Sequence, residues 1–149
     1  MGVEIYIFKI NKMDGTQIKL VLSVFGEDFN PGNFTNYIGL HPSDSWMKGD
    51  KISGRDDIFK KESSWEFCVG FIKTVFFEDV ATIFLDKFEG KTNQIRDYVD
   101  ASKLEVKIFI VIEIVDEEKP ALFLTKKFIQ ISNDLNADID FDIYIYNND

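Results

Sequence analysis

Three aspartates near the C-terminus have a spacing that suggests a binding function. Asp138, Asp140 and Asp142 stand at i, i+2 and i+4 among alternating apolar residues, so they project from one strand face about 7 Å apart. An Asp-x-Asp-x-Asp run also begins calcium-binding loops, but those loops need Gly at the sixth position, where this chain has Ile143. The row therefore predicts either charges that protect the edge of a sheet or an acidic face for a basic partner.

A second candidate site surrounds the turn Lys48-Gly49-Asp50. Trp46 comes just before this turn, and aromatic residues near exposed turns are frequent anchors of protein interfaces. Trp46 is equally well explained as a loop residue folded over the core. Trp46, Lys48 and Asp50 are therefore candidate partner-binding residues, together with the three aspartates.

Catalytic motifs are scarce in this sequence. Cys68 and His41 are the one combination of thiol and imidazole, and Cys68 lies in an apolar run without a basic neighbour that would lower the pKa of its thiol. Gly90-Lys91-Thr92 resembles the end of a phosphate-binding loop, but Leu85 stands where such a loop has its first Gly. We expect a protein without catalytic residues, cofactor or metal.

The alternative is a small-ligand-binding protein or an enzyme whose site lies between positions 28 and 50. Its polar groups would be Asp28, His41, Lys48 and Asp50. A pocket in which these groups converge would favour this alternative, whereas a flat acidic face would favour protein binding.

Composition limits the class of partner. The 149 residues carry a formal charge of −9, and nucleic-acid binding demands clustered Lys and Arg, so we expect no nucleic-acid partner. No apolar run is long enough to cross a membrane. A single cysteine and the lack of a signal-peptide pattern predict a cytoplasmic protein. The sequence sets no oligomeric state.

Hydrophobic periodicity predicts the elements that would position the candidate residues. Strands are predicted over residues 3–10, 18–24, 65–71, 104–114, 121–125 and 139–145, and one more begins near residues 50–52. Helices are predicted over 31–37 and 77–88, after Thr92 or Asn93, and around Phe128, Ile131 and Leu135.

These elements predict an α+β fold, in which about four helices pack on one face of a mostly antiparallel sheet. The whole chain, residues 1–149, is predicted to form a single domain. Strand 3–10 would form a hairpin with strand 18–24. Strand 104–114 would form another with strand 121–125. The order hairpin, helix, strand then occurs twice and suggests an internal pseudo-duplication, although residue identities between the halves do not accompany it.

The first half of the chain also carries a family resemblance. Its residues are Phe25, Asp28-Phe29, Pro31, Phe34, Tyr37-Ile38-Gly39-Leu40, Pro42, Lys48-Gly49-Asp50 and Trp65, joined by the C-terminal run 139–144. This pattern resembles the bacterial family called domain of unknown function 4279. The resemblance covers nearly the whole chain and implies a small soluble α+β domain, without an activity or catalytic residues to carry over.

The expected function is therefore a non-catalytic protein-binding module. An acidic protein that masks a basic partner, such as the immunity protein of a toxin, is the sharpest form of this expectation, because charge complementarity speeds such encounters.

Overall fold

Five strands and four helices make up the part of the chain that a computed structural model describes, residues 13–148. In chain order they are β1 (Gln17–Gly26), α1 (Pro31–Ile38), β2 (Asp44–Trp46), β3 (Ser63–Lys73), α2 (Phe77–Phe88), α3 (Thr92–Ser102), β4 (Glu105–Val115), α4 (Lys126–Asp134) and β5 (Asp138–Tyr146). The predicted α+β class with four helices is confirmed.

One sheet contains all five strands in the order β2-β3-β1-β4-β5. The pairs β2–β3, β3–β1 and β1–β4 are antiparallel, and β4–β5 is parallel. A parallel pair needs a crossover connection, and α4 lies in the one between β4 and β5. The sheet is therefore mostly antiparallel, as predicted.

The core lies between the helices and one face of the sheet. Strands β1 and β4 alternate buried and half-buried side chains, and their inward residues pair directly, as Leu20 with Ile110 and Leu22 with Ile108. The helices cover this face with rings such as Phe34, which meets Trp65 edge-on at 5.2 Å. We call it the helix face, and the opposite one the open face.

Helix α1 forms where the sequence predicts it. The side chain of Asn30 accepts a hydrogen bond from the backbone N–H of Asn33 at 3.1 Å, and Pro31 occupies the first helical position, where its missing N–H costs nothing. Gly39 ends the helix with φ of +68°, a conformation that other residues adopt only with strain. This short helix brings Phe34 onto Trp65.

A bulge in β3 changes which residue faces the core. Ile18 pairs with Ile72 but Leu20 pairs with Val69, so Gly70 and Phe71 both oppose Lys19. Regular alternation over the predicted strand 65–71 would place Phe71 on the inner face with Trp65, Phe67 and Val69, and this prediction is wrong at Phe71. The extra residue reverses the alternation, so that Ile72 packs on the core and Phe71 is 41% exposed. The centre of the Phe71 ring lies 4.7 Å from the ammonium nitrogen of Lys19.

Two other predicted strands differ from the structure. Residues 50–52 form only an isolated bridge between Lys51 and Phe59, and the strand comes before the turn instead, as β2. Residues 121–125 form no strand beyond a bridge between Ala121 and Phe76, because β4 pairs with β1 on one edge and β5 on the other. The second predicted hairpin is therefore absent, and the pseudo-duplication loses one of its two hairpins.

The predicted strand 3–10 lies outside the described residues. The hairpin predicted between this strand and residues 18–24 lies outside them as well.

Candidate functional site

The open face of the sheet collects side chains that are far apart in sequence. Strand register aligns one row of residues across all five strands: Asp44, Glu66, Ser23, Lys107 and Asp138. A neighbouring row consists of Trp46, Ser64, Phe25 and Glu105. Among the described elements, the helices pack on the other side, so these rows form the surface available to a partner.

A groove of about 280 Å³ opens on this face. Aromatic rings of Trp46, Phe25 and Phe109 contribute its apolar lining, and its charged lining comes from Glu62, Glu66 and Lys107. Two serines complete it, Ser23 and Ser64. A concave site that combines aromatic walls with a few polar groups is typical of binding sites.

Ser23 and Ser64 form the floor of the groove. Both residues are buried, and their hydroxyl oxygens lie 3.0 Å apart in a mutual hydrogen bond. Because one hydroxyl donates to the other, the accepting hydroxyl keeps its own proton for a further acceptor, and lone pairs remain for a donor. Small side chains at these two positions also make the depression possible, since their neighbours on the face are large.

Glu66 places a half-buried carboxylate at one side of the groove. Asp44 stands directly opposite it on β2, and like charges in such cross-strand pairs are destabilising. Burial, followed by the charge of Asp44, raises the pKa of Glu66, while Lys60 and Lys19 act weakly in the other direction. The side chain of Glu66 makes no hydrogen bond or ion pair within the described residues.

Trp46 is held in place by its polar atom. The indole N–H donates to the backbone carbonyl of Glu62 at 3.1 Å, and the ammonium of Lys60 lies 3.8 Å from the ring centre. The ring is half-buried at the groove wall. Trp46 is therefore anchored to a loop and also lines an open surface, and its role in partner binding stays a prediction.

Lys48 and Asp50 have structural contacts in the turn. The carboxylate of Asp50 accepts a hydrogen bond from the backbone N–H of Met47 at 2.8 Å, and the Asp50 N–H donates to the carbonyl of Met47 at 3.0 Å. The ammonium of Lys48 forms an exposed ion pair with Glu27 at 3.1 Å. These contacts fix the loop beside Trp46.

Asp138, Asp140 and Asp142 lie on the open face at the opposite edge of the sheet. They pair in register with Lys107, Phe109 and Val111 of β4, and all three are exposed. None of them takes part in an ion pair between described residues. Since neighbouring strands lie about 4.8 Å apart, the row stands roughly 20 Å from Trp46 across the same face.

The family model described as a domain of unknown function (DUF4279) matches residues 16–146. The chain belongs to the DUF4279 family. The match covers all nine elements of the described fold and both groups of candidate residues. No curated protein and no solved structure matches the chain.

The predicted alternative site in this DUF4279 protein is only partly assembled. Asp28 lines a depression of about 400 Å³ at the end of the sheet, together with Glu27, Glu62, Lys103 and Glu105. No hydrogen bond or ion pair of the described residues connects His41 with Asp28, Lys48 or Asp50. Of the four groups predicted for a ligand site, only Asp28 lines this depression.

Cys68 lies on the open face, half-buried. Burial raises the pKa of its thiol, the charge of Lys19 lowers it to a smaller extent, and Glu66 adds a small rise. The thiol is therefore protonated at neutral pH and a weak nucleophile.

The described residues contain neither a cluster of metal-binding side chains nor a helix that could span a membrane. No group of three or more His, Cys, Asp and Glu side chains there could hold a metal ion. Within residues 13–148, no helix has both the length and the apolar character that a membrane crossing requires.

Sequence reasoning found Trp46 and missed the groove beside it. Ser23, Phe25, Glu66 and Phe109 line the groove from three strands, and each looks like an ordinary outward strand residue in the sequence. The two serines in otherwise apolar strands were a usable signal, because small side chains among large ones leave a depression in the surface of a sheet.

Proposed function

We propose that this DUF4279 protein is a non-catalytic binding module that engages a basic protein through the open face of its sheet. An immunity protein that masks a toxin would be a protein of this type. The observation that carries the proposal is the common position of Trp46 and the Asp138, Asp140 and Asp142 row on one sheet face that the described helices leave uncovered.

The arrangement of charge supports this proposal. The three aspartates are exposed and unpaired among the described residues, and the whole chain carries a formal charge of −9. A negative surface speeds the diffusional encounter with a basic protein and disfavours acidic ones. Tyr144 follows in the same row, 48% exposed, and adds the kind of aromatic contact area that interfaces use.

Strand β5 also exposes apolar side chains on its other face. Phe141, Ile143 and Ile145 are 40%, 53% and 69% exposed. Exposed apolar groups rimmed by charge are typical of interaction surfaces. A partner that covers the edge at β5 would therefore meet both charged and apolar contacts.

The test compares two triple variants with equal net charge. One variant changes Asp138, Asp140 and Asp142 to Asn, and the control changes Glu78 to Gln and Asp86 and Asp97 to Asn, all exposed on α2 and α3. Proteins captured from the source cells are identified with each variant at low and at high salt, and association rates are then measured with the purified partner.

We expect the open-face variant to associate more slowly with a basic partner, and this difference should shrink at high salt, where charge steering is screened. The control variant should keep most of the rate. Equal rates for the wild-type protein and both variants, or an acidic partner, would contradict the proposal.

A second candidate function is small-ligand binding at the 400 Å³ depression beside Asp28. The observation that favours it is the size of this depression and the presence of Asp28 in its lining. A ligand bound there should raise the melting temperature of the wild-type protein and lose this effect in Asp28→Asn. A panel of small metabolites that leaves both melting temperatures unchanged would remove this candidate.

A further inference from the structure

We infer that the groove walled by Trp46, Phe25 and Phe109 receives one arginine side chain of the basic protein partner. This inference rests on the proposed function and deepens it, because it names the side chain that the partner contributes at the centre of the interface. Three features of the groove carry it: an unpaired carboxylate, aromatic walls that already attract cations, and a floor of hydroxyl groups.

The unpaired carboxylate is that of Glu66. It is half-buried, it stands opposite Asp44 in the cross-strand pair, and no described residue donates a hydrogen bond to its side chain. Asp44 accepts a hydrogen bond from the backbone N–H of Ser45 at 2.8 Å, but neither carboxylate has an ion-pair partner among the described residues, and such neighbouring like charges cost stability. A cation that binds between them would gain two attractive interactions and relieve the repulsion.

The aromatic walls are placed to contact a cation. The ammonium of Lys60 lies 3.8 Å from the centre of the Trp46 ring, and that of Lys107 lies 5.5 Å from the centre of the Phe109 ring. Both distances fall within the range of cation–π attraction. The chain's own lysines thus show that these ring faces favour positive charge, and long flexible side chains such as Lys60 can move aside.

The floor supplies hydrogen-bond acceptors of a kind that suits a guanidinium group. The hydroxyls of Ser23 and Ser64 satisfy each other with one hydrogen bond and retain free lone pairs. Guanidinium presents five N–H donors in a plane. It could therefore bind the Glu66 carboxylate and the serine hydroxyls at once, within a volume of about 280 Å³.

These features favour arginine over lysine. A guanidinium group is planar, stacks on aromatic rings and binds a carboxylate with two parallel hydrogen bonds, whereas an ammonium group acts as a compact and strongly hydrated point charge. Either cation would meet repulsion from Lys60 and Lys107, which already lie near the rings, but an ammonium would offset it with fewer hydrogen bonds than a guanidinium group.

The position of the groove favours a side chain of a protein over a free amino acid. The groove is open to solvent on the sheet face, and the row that contains Glu66 continues through Ser23 and Lys107 to Asp138. A protein that covers the open face would therefore reach the groove and the aspartate row together. Arginine is also among the residues most enriched at the energetic centres of interfaces.

The test uses three capped tripeptides, Gly-Arg-Gly, Gly-Lys-Gly and Gly-Ala-Gly, together with free arginine. The reporter is the indole N–H resonance of Trp46 in the full-length protein. The indole resonance of Trp65 is the internal reference, because Trp65 is fully buried and donates to the Thr35 hydroxyl at 3.1 Å. Trp46→Phe assigns the two resonances.

We expect the arginine peptide to shift the Trp46 resonance in a saturable way, with the lysine peptide and free arginine at least several-fold weaker. Glu66→Gln should weaken arginine-peptide binding roughly tenfold, the loss expected for one charged hydrogen-bonding partner, and Asp44→Asn should weaken it less. Glu78→Gln on α2 is the matched control and should bind as the wild-type protein does.

Equal binding of the lysine and arginine peptides, no effect of Glu66→Gln, or tighter binding of free arginine would overturn the inference. The proposed function is tested separately by association with the partner. If the peptides fail to bind while the aspartate variant still associates more slowly, the proposed function stands and the arginine groove is wrong. In the complete complex, Glu66→Gln should speed dissociation, whereas the aspartate variant should slow association.

Discussion

At Glu66, the negative charge that we propose for binding the partner also lowers the stability of the fold. Its pKa is raised in the folded protein by burial and by Asp44, so the folded state holds the carboxyl proton more tightly than the unfolded chain does. The resulting decrease in the free energy of unfolding is absent below the ordinary pKa of 4.5. It grows as the pH rises above this value, until the folded carboxyl is fully ionised. At neutral pH the unpaired charge lowers the stability of the fold.

We therefore predict that Glu66→Gln stabilises the protein at pH 7 by about 0.2–1 kcal/mol, the range for a like-charged cross-strand pair. The gain should disappear near pH 3.5, where both glutamate and glutamine are neutral. Urea unfolding at both pH values measures it, with Glu105→Gln as the control, because Glu105 is exposed and stands opposite Phe25. A variant that is less stable than the wild-type protein at pH 7 would show that Glu66 has a cationic partner.

The two tryptophans should differ sharply in their contribution to stability. Trp65 is fully buried, meets Phe34 edge-on at 5.2 Å and is hydrogen-bonded to Thr35, so Trp65→Ala should cost about 3–5 kcal/mol through the cavity that it leaves. Trp46 is half-buried at the surface, and Trp46→Ala should cost about 1 kcal/mol. Denaturant midpoints rank the two variants, and similar losses would mean that Trp46 belongs to the core.

Among the helices, α1 offers a clean test of backbone conformation. Gly39 ends this helix with φ of +68°, and apart from Gly39 and its chain neighbours no heavy atom lies within 4 Å of the position that a β-carbon would take. Gly39→Ala should therefore cost about 1–2 kcal/mol through the left-handed backbone alone. Gly39→Asn should cost less, because asparagine tolerates this conformation better. Thermal unfolding compares the two, and equal losses would indicate a steric cause instead.

Element positions were largely predictable from sequence where the signal is local. The limits of α1 follow from Asn30, Pro31 and Gly39, and α2 follows from its helical spacing, because caps and periodicity act over a few neighbouring residues. Period-two alternation over the predicted strand 104–114 places six residues on one face, and all are buried except Ile114, which is half-buried: Leu104, Val106, Ile108, Ile110, Ile112 and Ile114. In these cases the sequence contains the whole physical cause.

Strand pairing was predicted less well because it depends on distant residues. The stretch 121–125 was predicted as the hairpin partner of β4, but β5 takes that edge in parallel after the α4 crossover. The bulge at Gly70 and Phe71 likewise exists only in relation to Lys19 on β1. Local propensity for strand does not specify which strand becomes the neighbour.

The candidate site also has one part that follows from local sequence and another that depends on distant residues. Alternation alone placed Asp138, Asp140 and Asp142 on one strand face, and the structure shows that they share the open face with Trp46. The groove depends on the register that brings Ser23, Ser64 and Phe109 together, and register is a long-range property. The sequence therefore predicted Trp46 and the aspartate row, which lie at opposite edges of the sheet, but not the groove.

At the scale of the whole molecule, the excess of negative charge acts on stability as well as on binding. The chain has 26 acidic and 17 basic residues. The four ion pairs between described residues all have exposed partners, and exposed pairs contribute little. Repulsion between unpaired carboxylates therefore outweighs attraction, and the three aspartates of β5, about 7 Å apart, contribute to it.

We predict that sodium chloride stabilises the protein, since the screening length falls from about 10 Å at 0.1 M to about 3 Å at 1 M. The melting temperature should rise by about 1–3 °C between 0.05 and 0.5 M salt, because 1 kcal/mol corresponds to about 2–4 °C for a chain of this size. The variant with Asn at positions 138, 140 and 142 should melt higher than the wild-type protein at low salt and gain less from added salt. Potassium chloride should act like sodium chloride if screening is the cause. A melting temperature that falls with salt would mean that attractive ion pairs dominate. An aspartate variant that melts lower than the wild-type protein would show that the aspartate row has a stabilising partner within the fold and is unavailable to bind a basic protein.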